Sequence, residues 1–320
     1  MFPELFGPAV PPVRGRAARA IIVGLVCLVC LVCLALTGCS AIRLSYNQGP
    51  VLAYWWLDRY VDFDSAQTPR VRAALDGWFA WHRSSQLVDY QQALAQAQRL
   101  AASDVSAEQL CVQVDAWRQR ADTAFDQALP AIADLVRSLS PAQINHLEQR
   151  YAKNLAEAEA DYLQPLLAER REANFKRTLE RAETLYGHLG DSQRKLLADG
   201  LAASPFDPRL WLAERQTHQR DIVRALRQWQ AGRADAATVQ AGLQRMASDM
   251  MQSPRADYLV YAQRVKTANC ALLAQLHNAT TAAQRHKAVD HLRAWEADLR
   301  ALAAQAAPAA PAAFRAPAAP

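Results

Sequence analysis

Four stretches of the chain repeat one helix-start chemistry, and together they leave little room for anything but helices. Asp64-Ser65-Ala66-Gln67, Ser106-Ala107-Glu108-Gln109, Ser140-Pro141-Ala142-Gln143 and Thr281-Ala282-Ala283-Gln284 each set a small polar residue three places before a glutamine. In such a box the first side chain accepts from the amide three residues on, while the glutamine reaches back to the first residue's own N–H. Pro141 occupies the first helical position, where no N–H is needed. Gly190-Asp191-Ser192-Gln193, after Leu189, is a degraded version of the same device. Between these starts the chain is rich in Ala, Leu, Gln, Arg and Glu, all good helix formers, and runs of alternating β-branched residues are absent. The fold class is therefore all-α. Helices are predicted over 50–62, 67–102, 106–138, 140–187, 191–202, 206–231, 235–252, 255–277 and 281–304, with Pro130 and Pro165 bending or breaking the two that contain them. The starts are irregularly spaced, which excludes a regular solenoid and points to an irregular multi-helix bundle.

The ends are of a different kind. Arg14, Arg16 and Arg19 precede an apolar run from Ile21 to Leu36, the layout of a secretory signal and too short for a comfortable membrane span. The run closes on Leu36-Thr37-Gly38-Cys39. These four residues resemble the lipobox of bacterial lipoproteins. The resemblance implies cleavage after residue 38 and acylation of Cys39 as the first mature residue, so that the chain is anchored to a membrane without spanning it. Ser40 follows where an aspartate would signal inner-membrane retention, and by the same resemblance the inner leaflet of the outer membrane, facing the periplasm, is the expected location. The expected organisation is then a signal peptide over 1–38, an unstructured linker over 39–49, helical subdomains over 50–204 and 205–303, and a disordered Ala/Pro tail over 304–320. Ser204-Pro205-Phe206-Asp207-Pro208 is the best candidate for the boundary between subdomains.

Charge and cysteines narrow the function classes. The chain holds 36 basic and 31 acidic residues, and removing the three Arg and one Glu of the signal leaves a formal charge of +3. Charges of both signs alternate along the helices, so no nucleic-acid partner is read from the basic balance. Cys27, Cys30 and Cys33 leave with the signal, and Cys39 carries the lipid. Cys111 and Cys270 remain in an oxidising compartment. A disulfide between them and two separate core thiols are both open readings, and the Cα separation decides.

No catalytic pattern stands out. The chain has no GxSxG, phosphate loop, GxGxxG or HExxH. His286 and His291 are five apart, not the four that a helical ligand pair needs, so no metal and no cofactor is called for. The densest unusual patch is Tyr54-Trp55-Trp56-Leu57-Asp58-Arg59-Tyr60 with Trp78-Phe79-Ala80-Trp81-His82-Arg83. It reads either as packing or as an aromatic groove in which Trp55, Trp56, Asp58, Arg59, Trp81, His82 and Arg83 bind a peptide, glycan or lipid.

Two resemblances bear on the whole chain. The lipobox, Leu57-Asp58-Arg59-Tyr60, Trp81-His82-Arg83, Leu139-Ser140-Pro141-Ala142-Gln143 and Ala213-Glu214-Arg215 fall in the order seen in a proteobacterial family of lipoproteins whose function is not known; this implies a fold and a location and no active site. Leu139-Ser140-x-x-Gln143 and Leu189-x-x-x-Gln193 look like the Leu-Thr-x-x-Gln helix starts of small periplasmic helical chaperones and stress sensors. The expected function is a non-enzymatic, lipid-anchored binding or scaffold protein of the envelope, with an envelope protein or glycan as partner. The alternatives are a hydrolase or lyase acting on the cell wall and a periplasmic chaperone. An enzyme needs a concave site with a buried carboxylate of raised pKa, and a chaperone needs an openly apolar face.

Overall fold

The computed structural model describes residues 41–305. The expected signal segment, Cys39 and the tail beyond Gln305 lie outside the described residues. The chain forms two compact units that divide between Asn47 and Gln48. The described part of the first is α1 (Ala41–Asn47), so the stretch expected as linker is helical there. The second unit holds α2 (Gly49–Val61), α3 (Gln67–Trp81), a π-helical turn (His82–Gln86), α4 (Leu87–Ala101), α5 (Ala107–Arg137), α6 (Pro141–Tyr162) and α7 (Leu167–Tyr186). It continues through α8 (Asp191–Ala203), α9 (Pro208–Gly232), α10 (Ala236–Met251), α11 (Ala256–Asn278) and α12 (Ala282–Ala304). Among the described residues there is no strand.

Every glutamine start forms its box. Ser106 Oγ accepts from the Gln109 amide at 3.2 Å while Gln109 Oε1 accepts from the Ser106 N–H at 2.8 Å, and Asp64, Ser140 and Thr281 repeat the exchange. At Gly190, which has no side chain, only the return bond survives, from the Gly190 N–H to Gln193 Oε1 at 2.9 Å. Four of these glutamines do a second task. Gln67 and Gln143 meet side chain to side chain, Gln143 Nε2 donating to Gln67 Oε1 at 2.6 Å and to the Asp62 carbonyl at 2.9 Å, while Gln67 Nε2 donates to the Ser138 carbonyl at 3.0 Å. Gln193 and Gln284 repeat the arrangement, bonding each other and the Ala279 and His188 carbonyls, all at 2.8 Å. In each pair, both amides serve their own box and tie down the carbonyl two residues before the first residue of the partner's box, so helix starts far apart in sequence are locked together.

Prolines and serines decide where the long helices yield. Pro165 follows the end of α6, as expected, but α5 runs through Pro130 without a break. Leu129 and Ala133 are 2% and 1% exposed and hold the helix to the core on both sides of Pro130, and the residue whose carbonyl loses its bond, Asp126, is exposed. The helix expected over 67–102 is interrupted by the π turn at His82–Gln86. There the hydroxyls of Ser84 and Ser85 both bond the Trp81 carbonyl, at 3.1 and 2.7 Å, competing with the backbone ladder.

The division expected at 204/205 is not where the core divides. Val136, Leu139, Ile144 and Leu147 from α5 and α6 share one apolar cluster with Val223, Leu226 and Val239 from α9 and α10, so helices from both sides of Ser204 bury the same surface. A second cluster joins α4 to α12 through Leu94, Ala101, Ala288 and Leu292, and a third joins α8 to α11 through Leu189, Leu197, Leu272 and Leu276. Packing is close at Gly242, where a Cβ would lie 2.2 Å from the Trp229 ring. α5 and α11 run antiparallel and are clamped at three levels. Val105 and Asn278 exchange backbone-to-amide bonds at 2.9 and 3.0 Å, Lys266 Nζ pairs with both oxygens of Asp115, and between these levels Cys111 and Cys270 form a disulfide with Cα atoms 5.6 Å apart. The bridged reading of the two cysteines is the one that holds.

Candidate functional site

The residues of the aromatic sequence patch are spread over different surroundings. On α2, Tyr54 turns inward and its hydroxyl meets Thr68 Oγ1 at 3.1 Å, while Trp55 and Trp56 stand 58% and 57% exposed. Asp58 Oδ1 accepts from the Phe63 amide at 3.0 Å, which closes the turn after α2. Arg59 is exposed, and its carbonyl meets His146 Nε2 at 3.1 Å. Trp81 is half-buried. His82 is buried, stacked on Trp78 with centroids 4.8 Å apart and edge-on to Tyr90 at 5.3 Å; Tyr90 in turn meets Trp117 of α5 at 5.4 Å. Arg83 donates to Gln305 Oε1 at 2.7 Å. Among the described residues no ring contact joins Trp55 or Trp56 to Trp81 or His82. The patch thus contributes an exposed pair on α2 and a packed ladder from α3 to α5. Burial lowers the His82 pKa, in keeping with a neutral ring inside that ladder.

An open groove lies elsewhere, beside the disulfide. Val114 and Arg118 of α5, Phe206 and Trp211 at the start of α9, and Tyr258, Tyr261 and Leu273 of α11 line an open groove of about 390 Å³ with Cys270 in its wall. That volume lies within the range of small-ligand sites. The Ser204–Pro208 turn is fastened to the groove by Tyr261, whose hydroxyl accepts from the Asp207 amide at 2.9 Å and donates to the Asp207 carbonyl at 3.0 Å. Burial raises the pKa of both Tyr258 and Tyr261, so both present neutral hydroxyls. Lys266 is committed to Asp115. Arg118 lines the groove from α5, one helical turn from Asp115 and from Asp122. The same two helices also carry exposed apolar side chains outside the groove lining: Val112 on α5, Leu259 and Val260 on α11. The lining matches, in chemistry, a ligand with an apolar or aromatic body and an acidic group.

Two buried polar clusters sit apart from the groove. His277 Nδ1 meets the Tyr186 hydroxyl at 2.9 Å and Nε2 meets the Ser103 carbonyl at 2.8 Å, tying α11 to α7 and to the turn after α4. Desolvation lowers its pKa, aided by the Arg285 charge and opposed by the Ser103 bond. In the other cluster Arg255 grips Glu214 through Nε at 2.7 Å and Nη2 at 2.6 Å. Burial alone would push the Glu214 carboxyl up, but hydrogen bonds from Arg255 and Ser253 and the Arg255 charge hold it below the usual carboxylate range. It is an ionised structural anchor, the opposite of a general acid. Sequence reasoning missed the groove because its four rings come from three separate elements, and it met Glu214 only within Ala213-Glu214-Arg215, where an ordinary run of helix charges hides the pairing with Arg255.

Fold and site together define a class: an all-helical, disulfide-clamped protein with one open aromatic groove. The chain belongs to the family of unknown function DUF6279, whose model matches residues 59–255. The match takes in α3 to α10 and the α5 and α9 sides of the groove. No curated protein and no solved structure matches the chain.

Proposed function

We propose that this is a lipid-anchored helical binding protein of the bacterial cell envelope, facing the periplasm, and that the groove between α5, α9 and α11 is its binding site. The observation that carries the reading is an open, aromatic-lined groove with a cation, Arg118, in its wall. Apolar surface of this kind is rarely left open in a chain that binds nothing. The anchor rests on Leu36-Thr37-Gly38-Cys39. In the described residues no helix is long and apolar enough to cross a membrane. The cell-wall enzyme reading is not favoured, because the most buried carboxylate in view, Glu214, is held low rather than raised.

The test is photo-crosslinking from Val114 or Leu273 in cells making the lipidated protein, with Arg293 on the exposed face of α12 as the control position. Adducts from the groove positions alone, lost on Arg118→Glu, are the expected result. Adducts independent of position, or unaffected by Arg118→Glu, would refute the assignment. A second reading, a chaperone-like protein, is supported by the exposed apolar side chains of Val112, Leu259 and Val260. It predicts that the protein suppresses aggregation of an unrelated unfolding protein and that Val260→Glu removes the effect; a selective binder has no such activity.

A further inference from the structure

A surface helix ordinarily turns its polar side to water, and α2 does the reverse. It exposes Val51, Leu52, Trp55 and Trp56 at 47, 56, 58 and 57%. At about 100° per residue these four and the exposed Arg59 fall on one arc of about 140°, which ends at the C-cap residue Asp62. No other stretch of six described residues exposes four large apolar side chains. The opposite face of α2 is fixed to the body of the protein. Tyr54 is buried with its hydroxyl 3.1 Å from Thr68 Oγ1, and Tyr60 and Val61 pack against the cluster shared by α5, α6, α9 and α10. At the start of the helix a Cβ on Gly49 would lie 2.3 Å from the Phe79 ring. At its end Asp58 accepts from the Phe63 amide, and His146 meets the Arg59 carbonyl. With one face held in this way, α2 cannot rotate the apolar arc inward.

The composition of the arc indicates what covers it. An indole has an apolar body and a polar N–H, which suits a boundary that is apolar on one side and wet on the other. Arg59, one helical turn beyond Trp55, adds a long apolar stem and a cation that pairs with phosphate. Tryptophan, leucine and a basic residue on one side of a helix are the combination found where a helix lies in the plane of a bilayer surface. The chain connection is a second, independent argument. Val51 stands twelve residues after Cys39, and Ala41–Asn47 between them is helical. At about 1.5 Å per helical residue and at most about 3.6 Å for the others, the connection spans no more than about 30 Å. Acyl chains on Cys39 would therefore hold the arc at a high effective concentration against the membrane, where a weak contact suffices.

We propose that Val51, Leu52, Trp55, Trp56 and Arg59 seat α2 in the headgroup layer of the membrane that holds the anchor. The acyl chains supply the affinity and the α2 face sets the orientation. This docking rests on the lipid-anchor reading and is independent of the groove. The probe is a vesicle of phosphatidylethanolamine and phosphatidylglycerol carrying the full lipidated protein, with or without lipids brominated on the acyl chains near the headgroup. Bromine quenches the indoles it touches, so the tryptophan emission of the parent should fall on bromination. Trp55→Gln combined with Trp56→Gln should abolish the bromine effect on the six tryptophans that remain. Trp295→Phe, at an exposed indole of α12, should leave the effect unchanged. Leu52→Glu keeps all eight tryptophans and should weaken the quenching at least about twofold, since a carboxylate on the membrane-facing side opposes insertion. Its circular dichroism and melting temperature should match the parent, because the side chain it replaces is exposed. The mass of the N-terminal peptide reads acylation of Cys39 separately. An acylated protein whose emission ignores bromine, or whose quenching survives these substitutions, would overturn the docking and leave the anchor standing. An unacylated Cys39 would overturn both. A dimer in detergent that Leu52→Glu splits, with no quenching by bromine, would overturn the docking by assigning the face to a second copy of the chain.

Discussion

Breaking the Cys111–Cys270 bridge should cost this protein a large part of its stability, and the cost has a form that identifies its cause. The two cysteines are 159 residues apart in sequence, so the bond closes a loop comprising half the chain. In the chain-entropy description a loop of that length removes about 17 cal/mol/K from the unfolded state, or about 5 kcal/mol at 25 °C. Measured losses tend to fall somewhat below this figure, and a loss of about 4 kcal/mol lowers the melting temperature of a domain this size by roughly 10 °C. Because one missing sulfur abolishes the bond, Cys111→Ala, Cys270→Ala and the double variant should be destabilised almost equally. Urea unfolding followed by far-UV circular dichroism, on oxidised and thiol-treated samples, measures all of these. Reduction should bring the parent to within about 1 kcal/mol of the double variant, the remainder being Cys270 Sγ packing in a site 2% exposed. Additive single variants, or a parent indifferent to reduction, would show that no bridge stabilises the fold.

Three further outcomes follow from the same coordinates and sequence. Cys39→Ser should move the protein from the membrane pellet to the supernatant on cell fractionation, because the acyl chains expected there supply nearly all the membrane affinity; retention in the pellet would count against the lipid anchor. Stability should fall as pH drops from about 7.5 to about 5.5, because His82 and His277 have folded pKa values below 6.5 and the unfolded chain takes up protons that the folded one resists. Their contribution is complete above pH 6.5 and is lost toward the folded values, whereas carboxylates held low, such as Glu183, act only below 4.5; a denaturant midpoint that stays level or rises over this interval would contradict the neutral burial of both rings. Gln143→Ala should cost at least about 2 kcal/mol in a urea titration, since it leaves the Asp62 carbonyl and the Ser140 N–H without their partner and removes one bond to Gln67, and a loss under about 0.5 kcal/mol would mean that water replaces the amide without penalty.

How much of this was legible in the sequence depends on the range of the interaction that fixed it. Helix starts are fixed by side chains three residues apart, so Ser106–Gln109, Ser140–Gln143 and Thr281–Gln284 could be read directly, and the structure keeps each of them. The second use of those glutamines spans 76 residues in one pair and 91 in the other, and no local pattern records it. Pro130 and Pro165 carry the same local signal and have opposite outcomes. Leu129 and Ala133 anchor α5 across the first, whereas Leu166 and Leu167 beside the second are exposed and anchor nothing. The Ser204–Pro208 turn looked like a boundary because turn chemistry is local, but it is fastened to α11 by Tyr261 and the core runs past it. The site follows the same rule. Counting aromatics along the chain favours Tyr54–Tyr60 and Trp78–Trp81, where rings are neighbours in sequence and, apart from the exposed Trp55 and Trp56, mostly pack against their own surroundings. The groove draws Phe206, Trp211, Tyr258 and Tyr261 from the turn before α9, from α9 itself and from α11. No one of these segments is rich in aromatics, and it is the disulfide, the Asp115–Lys266 pair and the Val105–Asn278 bonds, which hold α11 against α5, that bring Arg118 and Val114 opposite them.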